Sequence, residues 1–105
     1  MSEPEQRPEL RIDGVIHAPA RLQIMMQLFV IDAADATFLL NRTGLTWGNL
    51  STHIGKLEEA DYVAVDKTFK GKKPRTMIRL TTKGRKAFQN YRSTMKQVLA
   101  DPAEA

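Results

Sequence analysis

Apolar residues recur along this chain with helical spacing in three places and with strand-like density in two. Across residues 18–32, or as far as 34, Leu22, Met25, Met26 and Phe29 form one stripe and Ile24, Leu28 and Ile31 another. Two stripes predict a helix that is hydrophobic over much of its circumference, entered at Pro19, whose missing N–H is not needed in a first turn. Leu50, Ile54 and Leu57 recur at i, i+4 and i+7 and predict a second helix with a single buried stripe. Phe88, Tyr91, Met95 and Val98, widened by Ala87 and Leu99, predict a third over residues 82–99, capped by Thr81 or Thr82. A short helix over residues 38–42, capped by Thr37, fits between the first two. Residues 62–65 and 77–81 are β-prone, and Gly71 and Pro74 stand between them where a hairpin turns.

The junction before the second helix is Thr43-Gly44-Leu45-Thr46. Gly44 can take the left-handed conformation that ends a helix, and Thr46 is a good N-cap for the next, so two helices are expected to meet across a tight turn. That is the skeleton of a helix-turn-helix. On the second helix, Gly48, Asn49, Ser51, Thr52 and Lys56 project away from the apolar stripe. They form either a solvated face or a surface suited to base edges and phosphates. Asn and Lys match adenine and guanine in a major groove, hydroxyls serve bases or phosphates, and glycine lets the backbone come close.

The hairpin favours the second alternative. Lys67, Lys70, Lys72, Lys73 and Arg75 crowd a strand connection that would fold as well with neutral residues. Their mutual repulsion costs stability, whereas a phosphate backbone would release counterions on meeting them. The charge is also polarised along the chain. Residues 46–96 carry twelve Lys or Arg against four Asp or Glu, residues 10–45 carry three of each, and residues 1–9 and 101–105 are each net −2. The overall +4 thus conceals a strongly basic C-terminal half, and a polyanionic partner is the inference.

With 105 residues and 42% hydrophobic content, one domain over residues 10–99 is expected, between a disordered polar tail at 1–9 and a second tail at 100–105. The most apolar region, residues 22–40, is interrupted by Gln27, Asp32 and Asp35, which is wrong for a membrane span. No signal peptide is evident. Zero cysteine excludes disulfides, zinc thiolate sites and thiol redox sensing, and fits a cytoplasmic setting. No nucleophile motif, phosphate-binding glycine loop or metal-ligand spacing points to an enzyme, and no cofactor or metal is expected.

The Thr-Gly-Leu-Thr turn, the run from Gly48 to Val63, the basic hairpin and the Leu80-Thr81-Thr82-Lys83-Gly84-Arg85 segment together resemble small winged-helix transcriptional regulators of the MarR-like and ArsR-like groups, closest to compact stand-alone winged-helix DNA-binding domains. The resemblance covers residues 14–96. It implies a mostly helical α+β fold: a winged helix-turn-helix with a two- or three-stranded β-wing and a long C-terminal helix. It implies a recognition helix in the major groove of double-stranded DNA, carried by Thr46, Gly48, Asn49, Ser51, Thr52 and Lys56, with the wing reaching along the backbone or minor groove. It also implies a homodimer on an inverted repeat, with repression favoured. Three residues depart from the family pattern. Thr52 stands where Arg is common and Asp61 where Gly is usual, although Asp tolerates a left-handed backbone. Gly55 lies in mid-helix at a cost of about 1 kcal/mol relative to Ala, which a close approach to DNA or to a neighbouring helix would explain.

The first and last helices are the candidate dimer surface, through Leu22, Ile24, Leu28, Ile31, Phe88, Tyr91, Met95 and Val98; the alternative is that both stripes simply close the core. Two recognition helices roughly 34 Å apart would select a palindromic site. Trp47 and His53 are expected to pack structurally rather than to bind, Lys83, Arg85 and Lys86 either extend the phosphate footprint or are solvated, and no residue set defines an effector pocket. A winged helix can also serve as a protein-interaction or RNA-binding module. Such a module need not keep a cationic wing and a polar helix face together.

Overall fold

Pro19 stands in the first turn of α1 (Pro19–Ile31) in the computed structural model, which describes residues 11–100. The tail expected at residues 1–9, and 101–105 of the other, lie outside the described residues. A three-residue strand β1 (Ala33–Asp35) follows, then α2 (Ala36–Thr43), α3 (Trp47–Glu59), β2 (Val63–Lys70), β3 (Lys73–Leu80) and α4 (Thr82–Val98). The strands make one antiparallel sheet in the order β1-β3-β2. Among the described residues no helix is long and apolar enough to cross a membrane.

Local chemistry fixes the element boundaries. Gly44 ends α2 at φ 71°, with its N–H donating to the Leu40 carbonyl. The Thr46 hydroxyl then caps α3 by accepting from the Asn49 N–H at 3.2 Å. Thr81 caps α4 in the same way, accepting from the Gly84 N–H at 2.9 Å. Asp61 adopts φ 65°, so the position usually held by glycine keeps its left-handed turn. Asp35, not Thr37, caps α2, accepting from the Phe38 N–H at 2.8 Å, and the helix is longer than residues 38–42.

Both stripes of α1 face inward for much of their length. Ile24, Met25 and Leu28 are fully buried and join Ile16, Leu39, Leu50, Leu57, Val63, Ile78 and Phe88 in one core. Ile24 and Leu28 are not at a free surface as the dimer reading expects; α1 runs between α2, α3, the sheet and α4, and the single chain buries both residues. Phe88 and Tyr91 are likewise buried by their own chain. The Phe88 ring meets Phe29 with centroids 5.0 Å apart, and the Tyr91 hydroxyl pairs with His17 Nδ1 at 2.9 Å.

One polar knot joins the segment before α1 to the exit of α3. One Asp13 carboxylate oxygen accepts from the Val15 and Ile16 N–H groups, and the other accepts from the Tyr62 hydroxyl at 2.5 Å. Burial first, then that bond and the negative charge of Asp13, push the Tyr62 phenol from 10.0 up to about 12. Between those values the unfolded chain ionises Tyr62 while the folded chain keeps the proton. This contribution to stability is therefore complete below pH 10 and is lost as pH rises through about 12. Tyr62→Phe is expected to lose about 1.5 kcal/mol at neutral pH and to show a flatter alkaline decline, measured by denaturant midpoints across that range. Tyr91, whose phenol is also pushed up by burial and then by Asp13, keeps some alkaline decline in the variant. A variant whose alkaline decline matches that of the parent would contradict this role.

Candidate nucleic-acid interface

The outward face of α3 carries Gly48, Asn49, Ser51, Thr52 and Lys56, all exposed, because Leu50, Ile54 and Leu57 hold the opposite face in the core. The side chains differ in freedom. The Thr46 hydroxyl is occupied as a cap acceptor, although its own proton is available to a phosphate. The Thr52 hydroxyl donates to the Gly48 carbonyl at 3.0 Å and keeps its lone pairs outward. Asn49 is exposed and its side-chain amide bonds to none of the described residues, which leaves a donor and an acceptor, the combination that reads adenine.

Ser51 borders a hollow shared with Trp47, Gly55, Glu58 and, from the hairpin, Lys67 and Thr76. Lys56 lies on the other flank of α3, beside Gly14, Arg21 and Glu59. An added Cβ on Gly55 would meet nothing within 4 Å, so no neighbouring helix requires glycine there. His53 accepts from Arg21 through Nδ1 at 3.1 Å and ties α3 to α1. Burial, then the charges of Arg21 and Lys56, lower its pKa, which keeps the imidazole neutral and suits a structural role.

β2 and β3 are longer than the β-prone runs suggested, and the extra length is the wing. β1 pairs with β3 only at residues 77–79, so from the Lys67↔Thr76 pair outward two strands project alone. Lys70 and Lys73 are direct cross-strand partners joined by the two-residue loop Gly71-Lys72, with Gly71 at φ 64°. A glycine with positive φ at the first loop position suits a II′ turn. Like charges directly opposite one another destabilise a ladder, and Lys67, Lys70, Lys72 and Lys73 are all exposed, so the wing concentrates charge at the expense of its own stability.

Arg75 does not belong with those four. Its guanidinium lies 3.7 Å from Asp35, the cap of α2, and its Nε is buried without a hydrogen-bond partner among the described residues. It braces the base of the wing against the helix-turn-helix. Arg85 is also engaged: it pairs with Asp32 and donates to the Phe29 carbonyl at 3.3 Å while stacking over the Phe29 ring, which closes the end of α1. Lys83 and Lys86 stay exposed nearby.

Trp47 corrects the expectation of core packing. It is 57% exposed at the first turn of α3 and lines a groove of about 660 Å³ with Thr37, Lys70, Lys73, Pro74 and Arg75. The groove joins the start of the recognition helix to the wing. Phe69, which no periodicity singled out, is 69% exposed near the wing tip. The signal available in sequence was an aromatic placed among lysines.

A helix-turn-helix whose polar face adjoins a projecting cationic hairpin defines a winged-helix module. The chain belongs to the winged helix DNA-binding domain family, whose model matches residues 20–99. It is 34% identical over 77 residues to an uncharacterized protein of Methanocaldococcus jannaschii, spanning 73% of this chain and 84% of that one. The structure of a transcriptional regulator homologue from Pyrococcus horikoshii OT3 superposes with a TM-score of 0.77 at 30% identity, over 81% of this chain and 84% of that one. NadR, solved in complex with 4-hydroxyphenylacetate, shares the fold at a TM-score of 0.66 and 18% identity, over 82% of this chain and 65% of that one. The protein is thus a DNA-binding domain of winged-helix type.

Proposed function

We propose that the chain binds duplex DNA as a homodimer on an inverted repeat and represses transcription by occluding a promoter, within the cytoplasm. The observation that carries this reading is the junction of the exposed polar face of α3 with the four-lysine arm across the groove at Trp47. Asn49, Ser51, Thr52 and Lys56 read the major groove, and Lys67, Lys70, Lys72 and Lys73 hold phosphates. Gly48 and Gly55 let the helix backbone approach the duplex closely. Similarity to the transcriptional regulator homologue of Pyrococcus horikoshii OT3 supports regulation as the purpose of binding.

The dimer face is narrower than both apolar stripes. Val30 is 80% exposed, and with Met26, Leu22, Met95 and Leu99 it lines an apolar groove of about 730 Å³ between α1 and α4. Ile31 and Val98 are also exposed on α1 and α4. A second copy covering this face removes apolar area from water and sets two recognition helices about one DNA turn apart. The domain comprises residues 10–99.

Asn49→Ala is expected to cost about 1 to 3 kcal/mol on the specific site and nothing on bulk DNA, because it reads a base. Lys72→Ala is expected to weaken both alike and to lower the salt slope by about one. Titrations of each variant against a selected site and against random duplex separate the two roles. An equal loss for Asn49→Ala on every sequence would make it a backbone contact.

A further inference from the structure

Phosphate binding accounts for the lysines of the wing but not for its most exposed apolar side chain. Phe69 is the cross-strand partner of Pro74, and directly opposite residues share a face of the ladder. Strand alternation places this pair on the same face as Val63 and Val65, whose inner part packs on the core, and as Lys67, which borders the hollow beneath α3. The Phe69–Pro74 rung therefore continues the concave side of the molecule, the side on which the recognition helix presents its polar face. Lys67 stands two residues inward, Lys70 and Lys73 form the next rung outward, and Lys72 is at the tip. Lys67 shares the face of the apolar rung and the Lys70–Lys73 rung projects from the opposite face, so cations stand on both sides of the arm around Phe69.

A ring drawn among phosphates by those cations has one apolar surface within reach, the stacked bases. The arm narrows to the two-residue loop Gly71-Lys72, so a minor groove about 6 Å across has to admit only this tip and the Phe69 ring, not the whole two-stranded ribbon. Proline behind the ring has a fixed backbone and a stiff side chain, so the pair behaves as a rigid edge. We propose that Phe69, backed by Pro74, is a wedge that the wing presses into a base step of the minor groove, bending the duplex there and selecting sites with a deformable pyrimidine–purine step under the wing. The wedge rests on the DNA-binding reading above. It adds a source of sequence preference that involves no hydrogen bond to a base.

The test uses end-labelled duplexes for bending and 2-aminopurine at the step for unstacking, with the parent chain, Phe69→Thr and Phe69→Leu. Threonine keeps a strand-compatible side chain, and leucine keeps an apolar one. The parent complex is expected to bend DNA by at least about 20° and to brighten 2-aminopurine. Phe69→Thr is expected to bind with the same salt slope, to leave the duplex straight, and to lose roughly tenfold in affinity on a site with the flexible step but not on one with a stiff A-tract there. Phe69→Leu retains most of the bend. A parent complex with straight DNA, or a Phe69→Thr complex as bent as the parent's, overturns the wedge while leaving DNA binding in place. A parent chain that binds no duplex at low salt overturns both.

Discussion

Replacing Lys67, Lys70, Lys72 and Lys73 together by Gln is expected to weaken binding to any duplex by roughly 100- to 1,000-fold near 0.1 M salt, and to lower the salt slope by as much as about 3.6. Each lysine that neutralises one phosphate releases about 0.9 counterion, and the four act from one projecting arm. The folded state should not suffer. Lys70 and Lys73 oppose each other across the last rung of the hairpin, so their neutralisation removes a repulsion and leaves melting unchanged or slightly raised. Affinity falling while stability holds is the signature of residues kept for a partner. A variant that binds as tightly as the parent, with the same slope, would show that the wing does not touch phosphate.

Gly84→Ala is expected to destabilise the fold by about 2 to 3 kcal/mol, even though alanine is the better helix former by about 1 kcal/mol. A Cβ at this position would overlap the Tyr62 carbonyl oxygen and stand 2.8 Å from its carbon and 3.0 Å from Leu80 Cδ1. Neither side can yield easily. The Tyr62 carbonyl accepts from the Thr81 N–H at 3.0 Å, and the Thr81 hydroxyl accepts from Gly84 itself, so the first turn of α4 is pinned against the connection between α3 and β2. Gly55→Ala is the matched control, since its Cβ would enter open space; it should stabilise by up to about 1 kcal/mol and weaken DNA binding if the helix backbone lies close to the duplex. Thermal melts should separate the pair, with Gly84→Ala lower by about 10 °C or more and Gly55→Ala higher by a few degrees. A Gly84→Ala chain that melts with the parent would contradict the close crossing.

The helices were legible because their ends carry local chemistry: Pro19, Gly44, Thr46 and Thr81 stand at boundaries that any single turn of backbone can enforce. β1 was not legible. Ala33, Ala34 and Asp35 are poor strand formers and too few to alternate, and they are extended because β3 lies beside them. The outer halves of β2 and β3 were hidden for the opposite reason, since a wing that contacts solvent or DNA on both faces shows no alternation. α1 misled because a helix buried on most sides and one covered by a second copy have the same composition. Ile24 and Leu28 went to the core, and Met26 and Val30 were left outside. Among the candidate DNA contacts, the exposed face of α3 and four of the five wing cations lie where the spacing placed them. Arg75 does not, because its partner Asp35 is forty residues away in sequence and only the fold brings them together. Gly84 was visible only as part of a family pattern, since a close crossing of helix and chain leaves no periodic trace.

The most direct test of the central claim is a fluorescence-anisotropy titration of the purified chain against random duplex DNA at several salt concentrations, continued into selection and sequencing of the bound fraction. Binding that weakens steeply with salt and enriches an inverted repeat, with half-sites about one helical turn apart, is the expected result. Absence of binding even at low salt would contradict the account, and enrichment of a single unrepeated half-site would contradict the dimer.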